Sequence, residues 1–278
     1  MAMAYRITIL CDNTVGALSG TLGEHGFAAL LEWDGGILLF DTGQGATLIH
    51  NARRMKRDLH RVGQVALSHG HCDHSGGLLA LLQNCGAKEI FAHPAIFSRR
   101  YRVNDSGESF PIGITHGEHL LCAAGGRFSL DDRFREIGQG LFLTGQVPRR
   151  TTFERGDAGI FCDEAGCAVD EVPDDQALVI ASNRGLVLLL GCCHAGLVNT
   201  FEHAREKTGV EDVYAVIGGT HLGFSDASQL DATVKALRGY RLQKLCSGHC
   251  TGFAASARLL KEFPGQFQPA QVGFTIAV

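Results

Sequence analysis

Apolar residues in this chain occur in short runs of strand length, separated by segments with helical periodicity. In the first third, the pattern predicts strands in YRITILCDN, in the hairpin FAALLEWDGGILLFDTG with DGG at its turn, and in RVGQVALS and KEIFAHP. Apolar positions at helical spacing predict helices in ATLIHNARRMKRDL and GGLLALLQNCG. This alternation of strands and helices predicts a mixed sheet that is covered by helices.

The regular pattern is interrupted between about residues 94 and 173 and then resumes. The interrupted stretch holds turn residues, charges and short strand-like pieces, which predicts a cap-like insertion over a site. After it, the pattern predicts a hairpin, a helix, a strand, a second helix and a final strand with its turn, in QALVIASNRGLVLLLG, LVNTFEHAREKTG, DVYAVIGGTHL, DASQLDATVKALRG and KLCSGHCTG. We therefore expect a single domain over residues 1–278 with an insertion at about 94–173.

Composition and charge exclude several classes of protein. Hydrophobic residues make up 45% of the chain and charged residues 19%, which is typical of a globular domain. The net charge of -4 gives no basic surface for nucleic acid, and RRMKRDLHR at 53–61 is interpreted as a solvated helix face. The longest apolar runs are far shorter than the roughly 20 residues of a membrane span, and MAMAYRITILCDNT lacks the pattern of a secretory signal. We expect a cytoplasmic protein without nucleic-acid or membrane partners.

The ten cysteines are scattered and do not form the paired spacing of a structural zinc site. Most are expected to be small buried hydrophobic residues. Cys162 and Cys167 flank DEAG, which predicts a hairpin turn, and a metal or disulfide role for this pair is a minor alternative.

The strongest chemical signal is SHGHCDHSGG at residues 68–77, which places His69, His71, Asp73 and His74 in six positions. In an extended segment His69 and His71 project to the same side, while Asp73 and His74 follow on a turn into the next helix. Imidazole and carboxylate groups suit zinc or iron. Polar residues satisfied by water and backbone are the alternative, but the density of metal-binding side chains favours a site for two adjacent metals.

Three later histidines are expected to complete this site. His194, His221 and His249 each follow an apolar strand and adjoin glycine, so each is predicted to lie on a turn at the edge of a sheet. A single histidine of this kind is usually only hydrogen bonded. Together with the cluster, His194 and His249 are predicted metal ligands, whereas His221 either binds metal or faces substrate.

The spacing H-x-H-x-D-H after a strand resembles the signature of the metallo-β-lactamase superfamily. FDTG resembles its first motif, and this resemblance implies that Asp41 orients a metal ligand without binding the metal. It also implies a four-layer αββα sandwich. One departure matters: where many members have G-D, this chain has Cys192, Cys193 and His194, which puts a carboxylate bridge between two metals in doubt.

Further motifs resemble one group within that superfamily, named for dihydropterin-ribofuranosylaminobenzene phosphate synthase. The matching motifs are, in order, EHGFAALLE, LTGQVPR, DDQALVI, GCCHAGLVNT, GGTHL and HCTG. The reaction of that group joins a pterin alcohol diphosphate to an aminobenzene ribosyl phosphate and releases pyrophosphate. The resemblance makes such a transferase the first alternative to hydrolysis.

Our main hypothesis is a metal-dependent hydrolase with two divalent metal ions, zinc being favoured over manganese and iron. His69, His71 and one later histidine would hold the first ion, and Asp73, His74 and another later histidine the second. A hydroxide bridging the ions would attack a phosphate ester, phosphodiester or pyrophosphate of a small molecule.

Other side chains are assigned to the substrate and to proton transfer. Asp73 is a candidate catalytic residue because it could receive a proton, and His221 is a candidate because it faces substrate. His116, Arg149 and Arg150 in the insertion are candidates for binding the substrate phosphate, because guanidinium and imidazole groups donate to phosphate oxygens.

A third hypothesis is a non-hydrolytic redox or sensor protein that binds metal, since the vicinal Cys192 and Cys193 are compatible with such chemistry. The sequence does not name the substrate, and it leaves open whether the protein forms a homo-oligomer.

Overall fold

The computed structural model describes residues 5–104 and 106–278. The strands of these residues are β1 (Arg6–Cys11), β2 (Ala28–Trp33), β3 (Gly36–Phe40), β4 (Gln64–Ala66), β5 (Lys88–Ala92), β6 (Tyr101–Val103), β7 (Ser109–Pro111), β8 (Gly126–Leu130), β9 (Arg135–Gly138), β10 (Leu141–Leu143), β11 (Ile160–Phe161), β12 (Leu178–Ser182), β13 (Gly185–Leu190), β14 (Val213–Gly218), β15 (Lys244–Ser247), β16 (Phe267–Pro269) and β17 (Thr275–Ala277). The α-helices are α1 (Leu48–Arg54), α2 (Cys72–Ser75), α3 (Leu78–Cys85), α4 (Glu118–Ala123), α5 (Leu197–Thr208), α6 (Ala227–Leu237) and α7 (Gly252–Glu262).

Two seven-stranded mixed sheets form the centre of the molecule. The first has the order β17-β1-β2-β3-β4-β5-β8 and the second β16-β15-β14-β13-β12-β10-β9. Strands β3, β4, β5 and β8 run parallel in the first sheet, and β13, β14, β15 and β16 run parallel in the second. The hairpins β2–β3 and β12–β13 are antiparallel, as the sequence pattern predicts.

The apolar pattern of the strands explains the layers. In β13 all six residues are buried, because alternate side chains point to opposite faces and both faces are covered. Val187 and Leu189 pack between the two sheets, while Leu186, Leu188 and Leu190 pack on the side of the helices. Helices α5, α6 and α7 contribute to this outer core, and α1, α3 and α4 contribute to the equivalent core outside the first sheet. The four-layer αββα sandwich is therefore confirmed.

The segment at about 94–173, expected to be an insertion, divides into two parts. Strand β8 extends the first main sheet, and β9 and β10 extend the second, so they belong to the sandwich itself. Among the described residues of this segment, the strands that stand apart from the two main sheets form the small three-stranded cap β11-β6-β7. The sequence pattern did not show this division because β9 has no fully buried residue, and a half-exposed edge strand carries little apolar signal.

Two features at the C-terminus were also not predicted from the sequence. The amphipathic helix α7 follows the last predicted turn, and β16 and β17 form edges of the two sheets. Within the described residues, no helix is long and apolar enough to cross a membrane. The N-terminal stretch considered for a signal sequence falls partly on residues 1–4, which lie outside the described residues.

Candidate metal centre and its cavity

The candidate site lies at one end of the sandwich, where parallel strands of both sheets reach their carboxyl ends. The turn after β4 contains His69 and His71, and that after β13 contains His194. His221 and His249 follow β14 and β15. Because neighbouring parallel strands end at the same edge, residues that are far apart in sequence meet there.

The first set of candidate ligands is His69, His71 and His194, all buried. His69 Nε2 lies 2.9 Å from His71 Nδ1 and 3.3 Å from His194 Nε2. The Ser68 hydroxyl donates to Asp41 Oδ2 at 2.7 Å and therefore accepts from His69 Nδ1 at 2.9 Å. The hydrogen of His69 is thus on Nδ1, and the lone pair of Nε2 points into the set.

The second set is Asp73, His74, Cys192 and His249, also buried. His74 Nε2 lies 3.1 Å from Cys192 Sγ and 3.2 Å from His249 Nε2. Asp73 Oδ2 lies 3.5 Å from His74 Nε2 and 3.3 Å from His249 Nε2. A carboxylate, two imidazoles and a sulfur therefore converge on one point.

Neighbouring acceptors fix the orientation of both imidazoles in the second set. His74 Nδ1 donates to Asp41 Oδ2 at 2.8 Å, which is the orienting contact that the sequence predicts for Asp41. His249 Nδ1 donates to Asn13 Oδ1 at 2.9 Å, and this oxygen also accepts from the Gly26 amide. Both Nε2 atoms therefore present lone pairs to each other across 3.2 Å. Two facing lone pairs repel each other unless a proton or a metal ion lies between them, so the set attracts a cation, and its donor atoms fit a metal ion.

The electrostatics of the two sets differ. Burial lowers the pKa of His69 and His194 well below the ordinary value and that of His71 to about 3, so these imidazoles are neutral ligands at neutral pH. Burial also opposes protonation of His74, but the carboxylates of Asp73 and Asp41 raise its pKa to about 9. The second set thus favours a positive charge at its centre.

Backbone strain is concentrated at this edge of the molecule. Asp41, Cys193, His221 and His249 all have positive φ, between 49° and 63°. This left-handed conformation is uncommon for residues other than glycine, and it is retained where the surrounding structure requires it. At these four positions the left-handed conformation turns the backbone sharply after a strand. The turn directs the neighbouring candidate ligands inward.

Both sets open into one cavity of about 410 Å³. Its wall includes Arg102, Asp157, His221 and Phe224. Arg102 pairs with Asp157, whose Oδ2 lies 3.5 Å from His221 Nε2. Against the effect of burial, Asp157 and Cys250 raise the pKa of His221 to about 9. The Phe224 ring stacks on His221 with centroids 4.8 Å apart and is 55% exposed.

The structure brings the six predicted ligands together in two groups of three, with Cys192 added to the second. His221 lies on the cavity wall and is grouped with Cys192 and Cys250. The catalytic roles of Asp73 and His221 stay predictions.

The three predicted phosphate-binding residues do not line this cavity. Arg149 donates to the His194 carbonyl at 2.7 Å and to the Glu171 carbonyl at 2.9 Å, so it supports a ligand loop. Arg150 pairs with Glu206 on the surface, and His116 is half-buried elsewhere. These three residues were predicted from their charge alone, and charge does not indicate where a side chain lies in the fold. The guanidinium group on the cavity wall belongs to Arg102.

Sequence reasoning missed several residues that surround the ligands. His25 Nε2 lies 3.2 Å from Asp73 Oδ2, and Asp12 Oδ2 accepts from the His249 amide at 2.8 Å. Asp12 and Asn13 directly follow the buried strand β1, a position that could have drawn attention to them. The cysteines of the described residues are free, and Cys162 and Cys167 are exposed at either end of their turn.

Comparisons with known proteins identify the family of the chain. The family model of the metallo-beta-lactamase superfamily matches residues 22–152. The chain is 31% identical over 281 residues to the 7,8-dihydropterin-6-methyl-4-(beta-D-ribofuranosyl)-aminobenzene-5'-phosphate synthase of Methanocaldococcus jannaschii, covering 96% of this chain and 95% of that protein. It is also 31% identical over 258 residues to an uncharacterised protein of the same organism, covering 91% of this chain and 93% of the other.

Among solved structures, the chain is similar to Tm1679, described as a metal-dependent hydrolase of the beta-lactamase superfamily. The TM-score is 0.84 and the identity 29%, with 99% of each chain covered. From its fold, its ligand cluster and these relatives, the chain belongs to the metallo-β-lactamase superfamily.

Proposed function

We propose that this protein is a hydrolase with two divalent metal ions that cleaves a phosphate ester, phosphodiester or pyrophosphate of a small molecule. One observation carries the proposal: two buried sets of ligands open side by side into a cavity that also contains an arginine. Such a cavity matches the size and mixed polarity of sites for small molecules.

The residues fit two ions of the zinc type. His69, His71 and His194 would hold the first, and Asp73, His74 and His249 the second. Imidazole and carboxylate are the usual ligands of catalytic zinc, and the open cavity leaves room for substrate. Bound ions would lower the pKa of water and neutralise charge that develops on phosphoryl oxygens.

Arg102 is the proposed contact for the substrate phosphate. Its side chain is 40% exposed, and its planar donors suit two phosphate oxygens at once. In the free protein Asp157 neutralises it, so a substrate phosphate must compete with that carboxylate. His221, on the same wall, is placed to donate a hydrogen bond to a departing oxygen. The remaining wall contains Pro111, Ile112 and Ile160, which suit an apolar part of the substrate.

A synthase reaction that releases pyrophosphate is the second candidate. The 31% identity to the Methanocaldococcus jannaschii synthase extends over nearly the whole of both chains, which favours related chemistry. The exposed ring of Phe224 on the cavity wall offers a flat surface for a pterin-like ring. In this reaction the same metals would activate a pyrophosphate leaving group in place of promoting attack by water.

The first experiment combines metal analysis with two assays. Two metal ions per chain and chelator-sensitive hydrolysis of bis-p-nitrophenyl phosphate or pyrophosphate would support the hydrolase. Formation of an adduct from a pterin diphosphate and an aminobenzene ribosyl phosphate, without hydrolysis of the test esters, would replace it with the synthase. Iron without either activity would favour a redox or sensor protein.

An arginine comparison then tests the substrate contact. Arg102→Gln is expected to raise KM for the cleaved phosphate compound at least tenfold with a smaller change in kcat. Arg99→Gln is the matched control because Arg99 is exposed and does not line the cavity. Equal kinetics for the two variants would remove Arg102 from the proposal.

A further inference from the structure

We infer that Asp174 and Asp175 are positioning residues for the first metal ion, because each carboxylate holds one of the two loops that carry His69, His71 and His194. Both residues act through the backbone next to a candidate ligand and lie outside the ligand sets themselves. The inference rests on the metal-binding part of the proposed function and not on the reaction that the metals promote. It gives a role to the motif DDQALVI, which the proposed function leaves without one.

Asp174 holds the loop after β4. Its Oδ2 accepts from the Gly70 amide at 2.8 Å, and Gly70 directly follows His69 in the chain. On the other side of His69, the Ser68 carbonyl accepts from the backbone amide of Gln176 at 3.0 Å. The backbone on both sides of this candidate ligand is therefore tied to one short segment, residues 174–176.

Asp175 holds the loop after β13 in the same way. Its Oδ2 accepts from the Ala195 amide at 2.8 Å, and Ala195 directly follows His194 in the chain. The carbonyl of the same peptide bond, that of His194, accepts from Arg149 Nη1 at 2.7 Å. Charged side chains thus hold both polar groups of this peptide bond, and hydrogen bonds to charged groups are stronger than those between neutral groups.

Together the two contacts place the first ligands relative to each other, since the two carboxylates belong to consecutive residues. Pro173 precedes them in a turn that the Asp175 amide closes by donating to the Val172 carbonyl at 3.0 Å. His69 Nε2 and His194 Nε2 lie only 3.3 Å apart. A shift of either loop would therefore directly change the space between two ligand atoms of the first set.

Burial separates this role from contact with substrate. Asp174 is fully buried and Asp175 is 3% exposed, and buried carboxylates require hydrogen-bond partners. Neither carboxylate lines the cavity of about 410 Å³. Each lies behind the loop that it holds, which is the arrangement that orients metal ligands without binding the metal.

The second set is held by a carboxylate from another part of the chain. Asp12 Oδ2 accepts from the His249 amide at 2.8 Å, and Asp12 is buried directly after β1. A change at Asp175 should therefore affect the first ion, whereas a change at Asp12 should affect the second. A general loss of structure would affect both ions alike.

Variants that retain only one complete set of ligands isolate the two effects. His249→Ala removes a ligand of the second set, and His71→Ala removes one of the first. In the His249→Ala protein, Asp175→Ala should weaken zinc binding at least tenfold, whereas in the His71→Ala protein it should leave zinc affinity unchanged. Asp12→Ala should give the reverse pattern. Competition with a coloured chelator measures all four affinities.

Two further substitutions at these carboxylates complete the comparison. Asp175→Asn keeps the shape and one acceptor oxygen of the side chain, so it should retain part of the affinity, and it replaces Asp175→Ala if circular dichroism shows that the alanine variant is unfolded. Asp174→Asn should have the same selectivity for the first ion, with an additional loss of stability because Asp174 also pairs with Arg100.

Asp163→Ala is the matched control. Asp163 also accepts from two backbone amides, those of Cys167 and Ala168, but it does so in the hairpin of the cap. This variant should bind zinc as the wild type does. Equal losses for Asp175→Ala in the His249→Ala and His71→Ala proteins, or no loss in the His249→Ala protein, would overturn the inference.

Calorimetric titration with zinc gives a second test that needs no single-set variant. The wild type should bind two ions, and Asp175→Ala should bind one of them at least tenfold more weakly and the other as before. Unchanged affinities for both ions, or equal weakening of both, would overturn the inference while leaving hydrolysis to its own assay. Wild-type protein that binds no zinc would overturn both proposals.

Discussion

Arg100 and Asp174 form a two-point ion pair in the interior of the protein. Arg100 Nη2 lies 2.6 Å from Asp174 Oδ1, and Nη1 lies 2.9 Å from Oδ2. Asp174 Oδ2 also accepts from the Gly70 amide at 2.8 Å, between His69 and His71. The pair therefore connects the start of the cap to the loop that carries the first ligands, and burial makes each charge dependent on its partner.

Removing one member of this pair should be strongly destabilising. Arg100 Nε also donates to Asp170 Oδ2 at 2.6 Å, so Arg100→Met leaves two buried carboxylates, Asp170 and Asp174, without their counter-ion. We expect a loss of about 3–5 kcal/mol in the free energy of unfolding. Urea unfolding followed by circular dichroism measures this loss. The double variant Arg100→Met/Asp174→Asn should recover part of the stability, because only one of the two buried carboxylates that lost their partner is then still charged.

The surface pair Arg133–Asp131 provides the comparison, since the Arg133 side chain is 81% exposed. Arg133→Met should leave the unfolding midpoint unchanged. Equal effects of the Arg100 and Arg133 substitutions would show that the buried pair stabilises the fold no more than a surface pair does.

Asp41 should control metal affinity without binding the metal. Its Oδ2 accepts from His74 Nδ1 at 2.8 Å, and its Oδ1 accepts from the Ser68 amide at 2.7 Å. Asp41→Asn weakens the hydrogen bond that keeps the hydrogen of His74 on Nδ1. We therefore expect zinc affinity to fall by about 10- to 100-fold. Competition with a coloured chelator measures the affinity. Asp34→Asn, the same change at an exposed turn, should bind zinc as the wild type does.

The sequence indicated which candidate ligands lie together because most of their pattern is local. His69, His71, Asp73 and His74 fall within six positions, and an apolar strand before them fixes the sheet edge on which they lie. His194 and His249 each follow a strand of the same kind, so the shared edge of parallel strands was enough to bring them together.

The surrounding residues were less predictable because no local pattern marks them. Arg102 and Asp157 are single charged residues in the irregular stretch, and only the folded cap brings them into one cavity wall. His25 meets Asp73 across a separation that sequence periodicity cannot show. In the fold, α7 was missed because only Ala255 and Leu259 are buried among its residues. A weak apolar stripe of this kind is easily overlooked.

Gly191 lies where the two sheets approach each other closely, so we expect that a side chain at this position is not tolerated. A Cβ at this position would lie 2.1 Å from Ser68 Oγ and 3.0 Å from Asp41 Oδ2. Gly191→Ala must therefore displace the groups that orient His69 and His74. We expect a loss of about 1–3 kcal/mol in stability together with weaker zinc binding.

Gly63→Ala is the matched substitution, because a Cβ there meets nothing within 4 Å. It should be neutral or slightly stabilising. Thermal unfolding and chelator competition on both variants separate the two effects. Normal zinc affinity in Gly191→Ala would mean that the contact between Gly191 and Ser68 does not position the ligands.

Removal of metal should lower stability, since the second set holds electron-rich groups that a cation neutralises. Without an ion, Asp73 and the Nε2 atoms of His74 and His249 face one another within 3.5 Å, and binding to the folded state alone stabilises that state by mass action. At a zinc concentration about 100 times Kd the gain is about 2.7 kcal/mol, which is roughly 5 °C in Tm for a chain of this size. We expect this shift on adding zinc to chelated protein, measured by calorimetry. His69→Ala/His74→Ala, which lacks one ligand in each set, should show no such shift; an equal shift in that variant would place the stabilising zinc elsewhere.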